Sequence, residues 1–240
     1  MKVSQKGKYY GTQDLKVTFD EIVLSQYDYT IEKTPWHYHE NPYFMFVLHG
    51  NMIDCNKKAK SLLPTGSLMF NNWQEGHYGI RHSNQASGFH LEFERNWFGR
   101  NDIDLQTFEG SQQVENPKVH MLFAKLYQEF LMADAYSQVS TELLLPQICA
   151  ALGNEKAIPF KEVPNWVNHL KEVLQYDTST ISLEYLSAQL GIHPVHISRA
   201  VPKYLSSSLG EYIRLIKVKK AIPLLLDSRY SLTQIAYDCG

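Results

Sequence analysis

The chain is 240 residues long, 44% apolar and 12% aromatic, with a net charge of −2, so it can build one or two hydrophobic cores and does not have the composition of a disordered protein. No run of about 18 apolar residues predicts a membrane-spanning helix, and the N-terminus lacks the apolar stretch of a secretion signal. The three cysteines are widely separated and form no CxxC pair, which gives no sign of a disulfide framework or a thiolate zinc site; we expect a soluble, cytoplasmic protein without membrane contact.

Residues 8–98 have the pattern of β-strands. Short runs rich in β-branched and aromatic residues, such as YFMFVLHG, are separated by turn-forming sequences such as LPTG and HSNQASG. This spacing favours a β-sandwich or β-barrel over alternating strands and helices.

After Pro117 the apolar residues recur every three or four positions, which predicts two helices at about 117–133 and 137–152. Their apolar stripes are wider than one side of a small domain needs, and this favours a homodimer formed through residues 117–152. The alternative is that both stripes simply cover the β domain. Residues 154–164, which contain Pro159 and Pro164, predict a linker.

A ten-residue pattern occurs twice, as SLEYLSAQLG at 182–191 and SLTQIAYDCG at 231–240. Each copy begins with a serine suited to cap a helix, carries apolar residues on one face and ends in glycine. This is the first half of a helix-turn-helix. A second helix is predicted after Gly191, since Pro194 suits its first turn and the apolar residues that follow it are four apart.

The opposite face of that second helix is basic. Residues 161–240 carry a net charge of +2 and residues 1–160 a net charge of −4, and the basic excess is concentrated between positions 193 and 222. A row of long donor side chains on a helix suits the DNA major groove, where arginine can bind guanine edges and lysine can bind phosphate. We predict DNA contacts by His193, Val195, His196, Ser198, Arg199 and Lys203.

These segments together resemble the C-terminal domain of AraC-type transcription regulators. The resemblance rests on LSAQLG at 186–191, the Ser198-Arg199 pair, LGEYIRLIKVKKA at 209–221 and the second copy of the repeat. It implies two helix-turn-helix motifs joined by one long helix at about 209–226, with each recognition helix in a major-groove segment. In the family a second recognition helix follows the final glycine, so we interpret the chain as truncated within the second motif and expect weakened binding to double-stranded DNA.

Two prolines depart from the family pattern. Pro202 lies in the predicted recognition helix and Pro223 in the connecting helix, where an interior proline removes a backbone hydrogen bond. We expect the recognition helix to end early, which weakens the assignment of Lys203 more than that of Arg199.

The N-terminal half resembles a cupin in two segments, WHYHENPYFMFVLHG at 36–50 and LPTGSLMFNNWQEGH at 63–77. His37 and His39 are two apart on a strand and share a face, and His77 follows at the position of the third cupin histidine. The glutamate of the usual metal-binding set is replaced by Tyr43 or Phe44. The resemblance to AraC-type regulators implies a metal-free pocket for a small-molecule effector, and we predict that its lining includes His37, His39, Tyr43, Trp73 and His77.

The sequence therefore predicts an α+β protein with four parts. They are a cupin-like β-barrel or sandwich that binds an effector (1–112), a helical dimerisation segment (113–153), a linker (154–164) and an AraC-type DNA-binding domain with an incomplete second helix-turn-helix (165–240). The predicted function is sequence-specific transcription regulation by an unidentified small molecule, without catalysis, metal or cofactor. Three alternatives stay open: a metal-dependent cupin oxygenase or isomerase with a helical accessory domain, a helical protein-interaction module, and purely structural histidines.

Overall fold

The computed structural model describes residues 2–73, 75–103, 110–156, 164–176, 181–205, 207–226 and 229–240. The chain forms two compact units, Met1–Cys149 and Ala150–Gly240. None of the described helices is both long and apolar enough to span a bilayer.

The first unit contains two β-sheets whose strands pair mostly in antiparallel orientation. Its strands are β1 (Lys2–Ser4), β2 (Thr12–Phe19), β3 (Ile22–Asp28), β4 (His37–His39), β5 (Tyr43–His49), β6 (Met52–Asn56), β7 (Lys60–Leu63), β8 (Leu68–Asn71), β9 (His77–Arg81), β10 (Ser87–Phe93) and β11 (Gln112–Val114). One sheet has the order β1-β4-β9-β6-β7 and the other β11-β8-β5-β10-β3-β2, so the described strands form an open sandwich and not a closed barrel. A short helix, α1 (Arg95–Arg100), follows β10.

The side chains of strand β5 alternate between two buried layers of this unit. Tyr43, Met45 and Val47 belong to a buried cluster that includes residues of the other sheet. The intervening Phe44 points the other way, and its ring lies 5.1 Å from Phe123 of the first long helix. Because consecutive strand residues face opposite sides, one strand lines both the space between the sheets and the layer beneath the helix.

Two long helices follow the sheets. Helix α2 (Pro117–Met132) is capped by the side chain of Asn116 and ends at Ala133, which has a left-handed conformation, while α3 (Ser137–Lys156) begins four residues later. The apolar stripe of α2 is buried, from Val119 to Phe130, and covers the six-stranded sheet. Part of the stripe on α3 is exposed instead.

The second unit contains the end of α3 and five further helices of the described residues. They are α4 (Asn165–Tyr176), α5 (Leu183–Leu190), α6 (Pro194–Leu205), α7 (Leu209–Leu225) and α8 (Leu232–Cys239). Both copies of the repeat form capped helices as predicted, because the hydroxyls of Ser182 and Ser231 accept hydrogen bonds from backbone N–H groups at their first turns. Gly191 supplies the left-handed residue, with φ of +64°, between α5 and α6.

A compact apolar core holds α5 and α6 together. Leu186 of α5 and Ile197 and Val201 of α6 are fully buried and belong to one cluster with residues of α4 and α7. The prediction that Pro202 ends the recognition helix is wrong, since α6 continues to Leu205. Pro202 lies in the last turn, so it removes only the bond to the carbonyl of the exposed Ser198.

The predicted fold class, α+β with a cupin-like N-terminal domain and a C-terminal helical domain, is confirmed. The sheet extends slightly further than predicted, because β11 ends at Val114. Helix α3 continues into the predicted linker, up to Lys156, and residues 157–163 of that linker lie outside the described residues.

Candidate functional site

A cavity of about 530 Å³, including its open mouth, lies in the first unit. Strands β4, β5, β6, β9 and β10 and the segment before β2 contribute side chains to it. The lining is aromatic and apolar with few polar groups, a composition typical of small-molecule sites. It consists of Tyr9, Tyr10, Tyr29, Ile31, Thr34, His37, His39, Tyr43, Met45, Met52, Ile53, Asp54, His77, Gly79 and His90.

Three histidines converge at one end of this cavity. His37 and His77 are paired residues of the neighbouring strands β4 and β9, and His39 is two positions along β4 on the same face. One nitrogen from each ring can be chosen so that the three lie within 4.8 Å of one another, and all three side chains are buried. The structure thus brings together the three residues that the cupin-like spacing singled out.

Hydrogen bonds fix the orientation of two of these rings. Nδ1 of His37 lies 2.8 Å from the carbonyl oxygen of Pro35, and Nδ1 of His77 lies 2.7 Å from a carboxylate oxygen of Asp54. Because a backbone carbonyl oxygen and a carboxylate oxygen accept hydrogen bonds, Nδ1 is the donor in both rings. The hydroxyl of Tyr43 lies 3.4 Å from Nε2 of His77.

Burial shifts the pKa values of several aromatic polar groups of the cavity towards the uncharged form. Desolvation, with the neighbouring His77, lowers the pKa of His37 to about 4, and desolvation lowers that of His39 well below its usual range. Burial also raises the pKa of the Tyr9 and Tyr43 phenols well above the ordinary value. At neutral pH His37 and His39 are therefore neutral acceptors, and the phenols of Tyr9 and Tyr43 are protonated.

Several buried polar atoms of the lining have no hydrogen-bond partner. They include Oδ2 of Asp54, Nδ1 of His39 and the hydroxyl of Tyr10. A buried polar group without a hydrogen-bond partner costs free energy. A bound molecule that forms hydrogen bonds with these atoms would remove that cost.

The structure places four of the five predicted effector-binding residues in this lining: His37, His39, Tyr43 and His77. Trp73 is not among them. It follows β8 in the turn before β9, and its ring lies 6.0 Å from the guanidinium of Arg95.

Eleven residues of the lining were missed by the sequence reasoning, among them Tyr9, Tyr29, Asp54 and His90. A signal for one of them exists, because SGFHLEF on β10 alternates phenylalanine and leucine with His90 and Glu92. That alternation places His90 on the face opposite Phe89 and Leu91, where its ring stacks on Tyr9 with centroids 3.8 Å apart.

The histidine set fits a metal ion in its chemistry, but the carboxylate of the usual cupin set is missing. Imidazoles whose second nitrogen bonds a carboxylate or a carbonyl are common zinc, iron and nickel ligands. Metal–nitrogen bonds of about 2.1 Å in a tetrahedral site place the nitrogens about 3.4 Å apart, and the three nitrogens here lie within 4.8 Å of one another. No carboxylate takes the place of the cupin glutamate: Tyr43 bonds His77, and Glu40 accepts from the backbone N–H of Lys6.

The second candidate site is the outer face of α6. The six predicted DNA-binding residues, His193, Val195, His196, Ser198, Arg199 and Lys203, are all exposed. The opposite face is held in the core by Ile197, Ala200 and Val201, and the helix contains no acidic residue. The ring of His193 also accepts from the backbone N–H of Val195 at the start of the helix.

No protein-family profile matches the chain, and no curated protein sequence does. Among solved structures the chain is similar to an apo ToxT variant of Vibrio cholerae, with 12% identity, 92% of this chain and 88% of that chain covered, and a TM-score of 0.46. It is also similar to ToxT with a bound unsaturated fatty acid, with 12% identity, coverage of 94% and 88%, and a TM-score of 0.41. A cupin-2 domain protein of Shewanella frigidimarina matches with 10% identity, coverage of 36% and 84%, and a TM-score of 0.32.

The order of elements along the chain is a β-sandwich, two long helices and a helical domain in which both copies of the repeat form capped helices.

Proposed function

We propose that the protein is a DNA-binding transcription regulator whose affinity for its operator responds to a small molecule bound in the cavity. The observation that carries the proposal is the exposed, acid-free face of α6, presented by a helix whose other face is fixed in a core. Such a helix fits the major groove of B-DNA.

Arg199 is the residue to which we assign base contact. Its side chain is exposed on the same helix as Lys203, and a guanidinium can bind the O6 and N7 atoms of guanine with two hydrogen bonds. Lys203, one turn later, is assigned to phosphate, where it contributes affinity without sequence preference.

Regulation requires that the effector bind one arrangement of the protein more tightly than another, since only differential affinity shifts an equilibrium. The cavity is formed from distant segments of the first unit, so a ligand there can bias how these segments pack. No catalytic step is part of this function.

We further propose that the protein is a homodimer and that α3 supplies the contact. Tyr136, Val139 and Leu143 are spaced at three and four residues and are 76%, 56% and 64% exposed, so they form an apolar row that the described chain leaves uncovered. The stripe of α2, by contrast, already covers the sheet. This distinction narrows the predicted interface within residues 117–152 to the outward face of α3.

The second candidate is a metal-dependent cupin enzyme, favoured by the convergence of His37, His39 and His77 and by the acceptors behind two of them. A metal held there would act as a Lewis acid. Metal analysis of protein purified without added metal separates the candidates. About one iron, manganese, nickel or zinc ion per chain, lost on His77→Gln, would favour the enzyme.

Selection of duplexes from a random-sequence library tests the regulator proposal. We expect enrichment of one short motif and a fall of at least about tenfold in affinity for it on Arg199→Ala. Lys60→Ala, which removes an exposed lysine from β7 of the first unit, serves as the control and should leave affinity unchanged. Enrichment of no motif would count against sequence-specific binding.

A further inference from the structure

An aromatic side chain of α4 lies beside the predicted DNA-reading face of α6. The ring centroid of Trp166, in the first turn of α4, is 5.9 Å from that of His196 and 6.1 Å from that of Tyr204. The interplanar angles are 63° and 88°, which is the edge-to-face geometry that aromatic pairs favour. Trp166 is itself partly buried against the core of the second unit, so the core and α6 together hold the indole in place.

The spacing along α6 puts this contact at the border of the basic face. His196, Ala200 and Tyr204 are four residues apart and follow one side of the helix. Ala200 is 8% exposed, and its small side chain leaves room for the indole between the two flanking rings. Successive helix residues are about 100° apart, which places His196 about 20° from Lys203 and about 60° from Arg199 around the helix axis.

His196 also lies where a recognition helix contacts bases. Its backbone N–H donates to the carbonyl of His193, just before the helix, and the N-terminal residues of such a helix are the ones that contact base edges. A neutral imidazole has one donor and one acceptor nitrogen, so it can donate to O6 or N7 of guanine or accept from the amino group of adenine. The nitrogen that faces the groove, and with it the base preference, depends on the orientation of the ring.

We propose that Trp166 is a positioning residue for DNA recognition. Its edge-to-face contact holds the His196 imidazole in one orientation beside Arg199, and this orientation sets the base preference at the position that His196 contacts. A side chain that is ordered before binding loses less conformational entropy when the complex forms. Trp166 acts through His196 and is assigned no base contact of its own. The inference rests on the proposed function and extends its DNA-reading surface to a residue of α4.

The ring resonances of His196 test the contact by NMR without DNA. In the wild type, ring currents of Trp166 should shift them away from those of His82, an exposed histidine of the first unit. Trp166→Leu should move them towards the His82 values, whereas Trp166→Phe, which keeps an aromatic ring, should retain most of the shift. Val173→Ala, which trims the same core two turns further along α4, is the matched control and should leave the His196 resonances unchanged.

Affinities for the selected duplex and for each of its single-base variants test the consequence. We expect Trp166→Leu to reduce the preference at one base pair by about threefold or more, while the preference lost on Arg199→Ala stays in place. His196→Ala should remove the same preference as Trp166→Leu. The double variant should lose no more of it than His196→Ala alone, because the two residues act as one unit. Val173→Ala should leave the preference at every base pair unchanged.

Two results would overturn the proposal. The first is a set of His196 ring resonances that Trp166→Leu does not change. The second is a wild type that selects a motif whose base preferences Trp166→Leu leaves intact at every position. The absence of any selected motif would instead contradict the proposed function and, with it, the role in base preference. The NMR measurement would still decide whether Trp166 orients His196, so the two failures are distinguishable.

Discussion

Acid should destabilise the first unit through His90, and the size of the effect can be worked from its surroundings. The residue is 1% exposed, its ring stacks on Tyr9, and its Nε2 lies within hydrogen-bond distance, 3.0 Å, of the hydroxyl of Tyr29. Burial lowers its pKa to about 3, compared with about 6.5 in the unfolded chain. The unfolded state therefore takes up a proton at a pH where the folded state does not.

The sign follows from linkage. A base whose pKa is lowered by folding contributes its full stability above the unfolded pKa and loses it as the pH falls from about 6.5 towards 3. A pH of 4.5 lies about two units below the unfolded pKa, so protonation of His90 stabilises the unfolded chain there. Through His90 alone, the free energy of unfolding should be about 3 kcal/mol lower at pH 4.5 than at pH 7. The lowered pKa values of His37 and His39 also make the folded state less stable as the pH falls. Burial raises the pKa of Glu92, and this makes the folded state more stable as the pH falls.

The difference between the wild type and His90→Gln isolates this residue. Urea unfolding should show the variant losing about 3 kcal/mol less than the wild type between pH 7 and 4.5, whatever the constant cost of the substitution. As a second measurement, the ring resonances of His90 should not titrate in the folded protein down to pH 4.5. A pH-independent difference in stability, together with a ring that titrates near pH 6.5, would refute the reasoning.

Three further predictions concern the helices. Ser182→Ala removes the hydroxyl that accepts from the backbone N–H of Tyr185 and should lower the unfolding free energy of the second unit by about 1 kcal/mol in denaturant titration, while an unchanged midpoint would contradict the capping role. Ile197→Ala, at a fully buried position, should cost about 3 kcal/mol in the same assay, and a loss below about 1 kcal/mol would mean that the position is not packed as described. Leu143→Glu on α3 should convert a dimer to a monomer in sedimentation, while the same change at Leu62, which is 62% exposed on β7, should not, and a wild type that is monomeric at all concentrations would refute the interface.

The helical elements could be predicted from sequence because their signals are local. The serine caps, Gly191 and the apolar spacing within α5 and α6 lie within a few residues of one another, so they indicated the helices and their outward face. The effect of Pro202 was misjudged because its cost depends on how close the residue is to the end of the helix, and sequence does not define that end well.

The cavity could be predicted only in part. His37, His39 and His77 follow from the period of two and a recognisable spacing. Tyr9, in the segment before β2, and Asp54, on β6, reach the same space from positions that are distant in sequence. Strand pairing of this kind depends on register, and a shift of one residue would turn every side chain to the other face. The acceptors behind the histidines could not be identified before the register was known.

The central claim, that the outer face of α6 lies in the major groove, is tested most directly by guanine-N7 methylation interference on a duplex selected by the protein. The account predicts that methylation of guanines in one short major-groove segment blocks binding, and that Arg199→Ala removes this interference at one of them. Interference confined to adenine N3 in the minor groove, or a pattern that Arg199→Ala leaves unchanged, would contradict it.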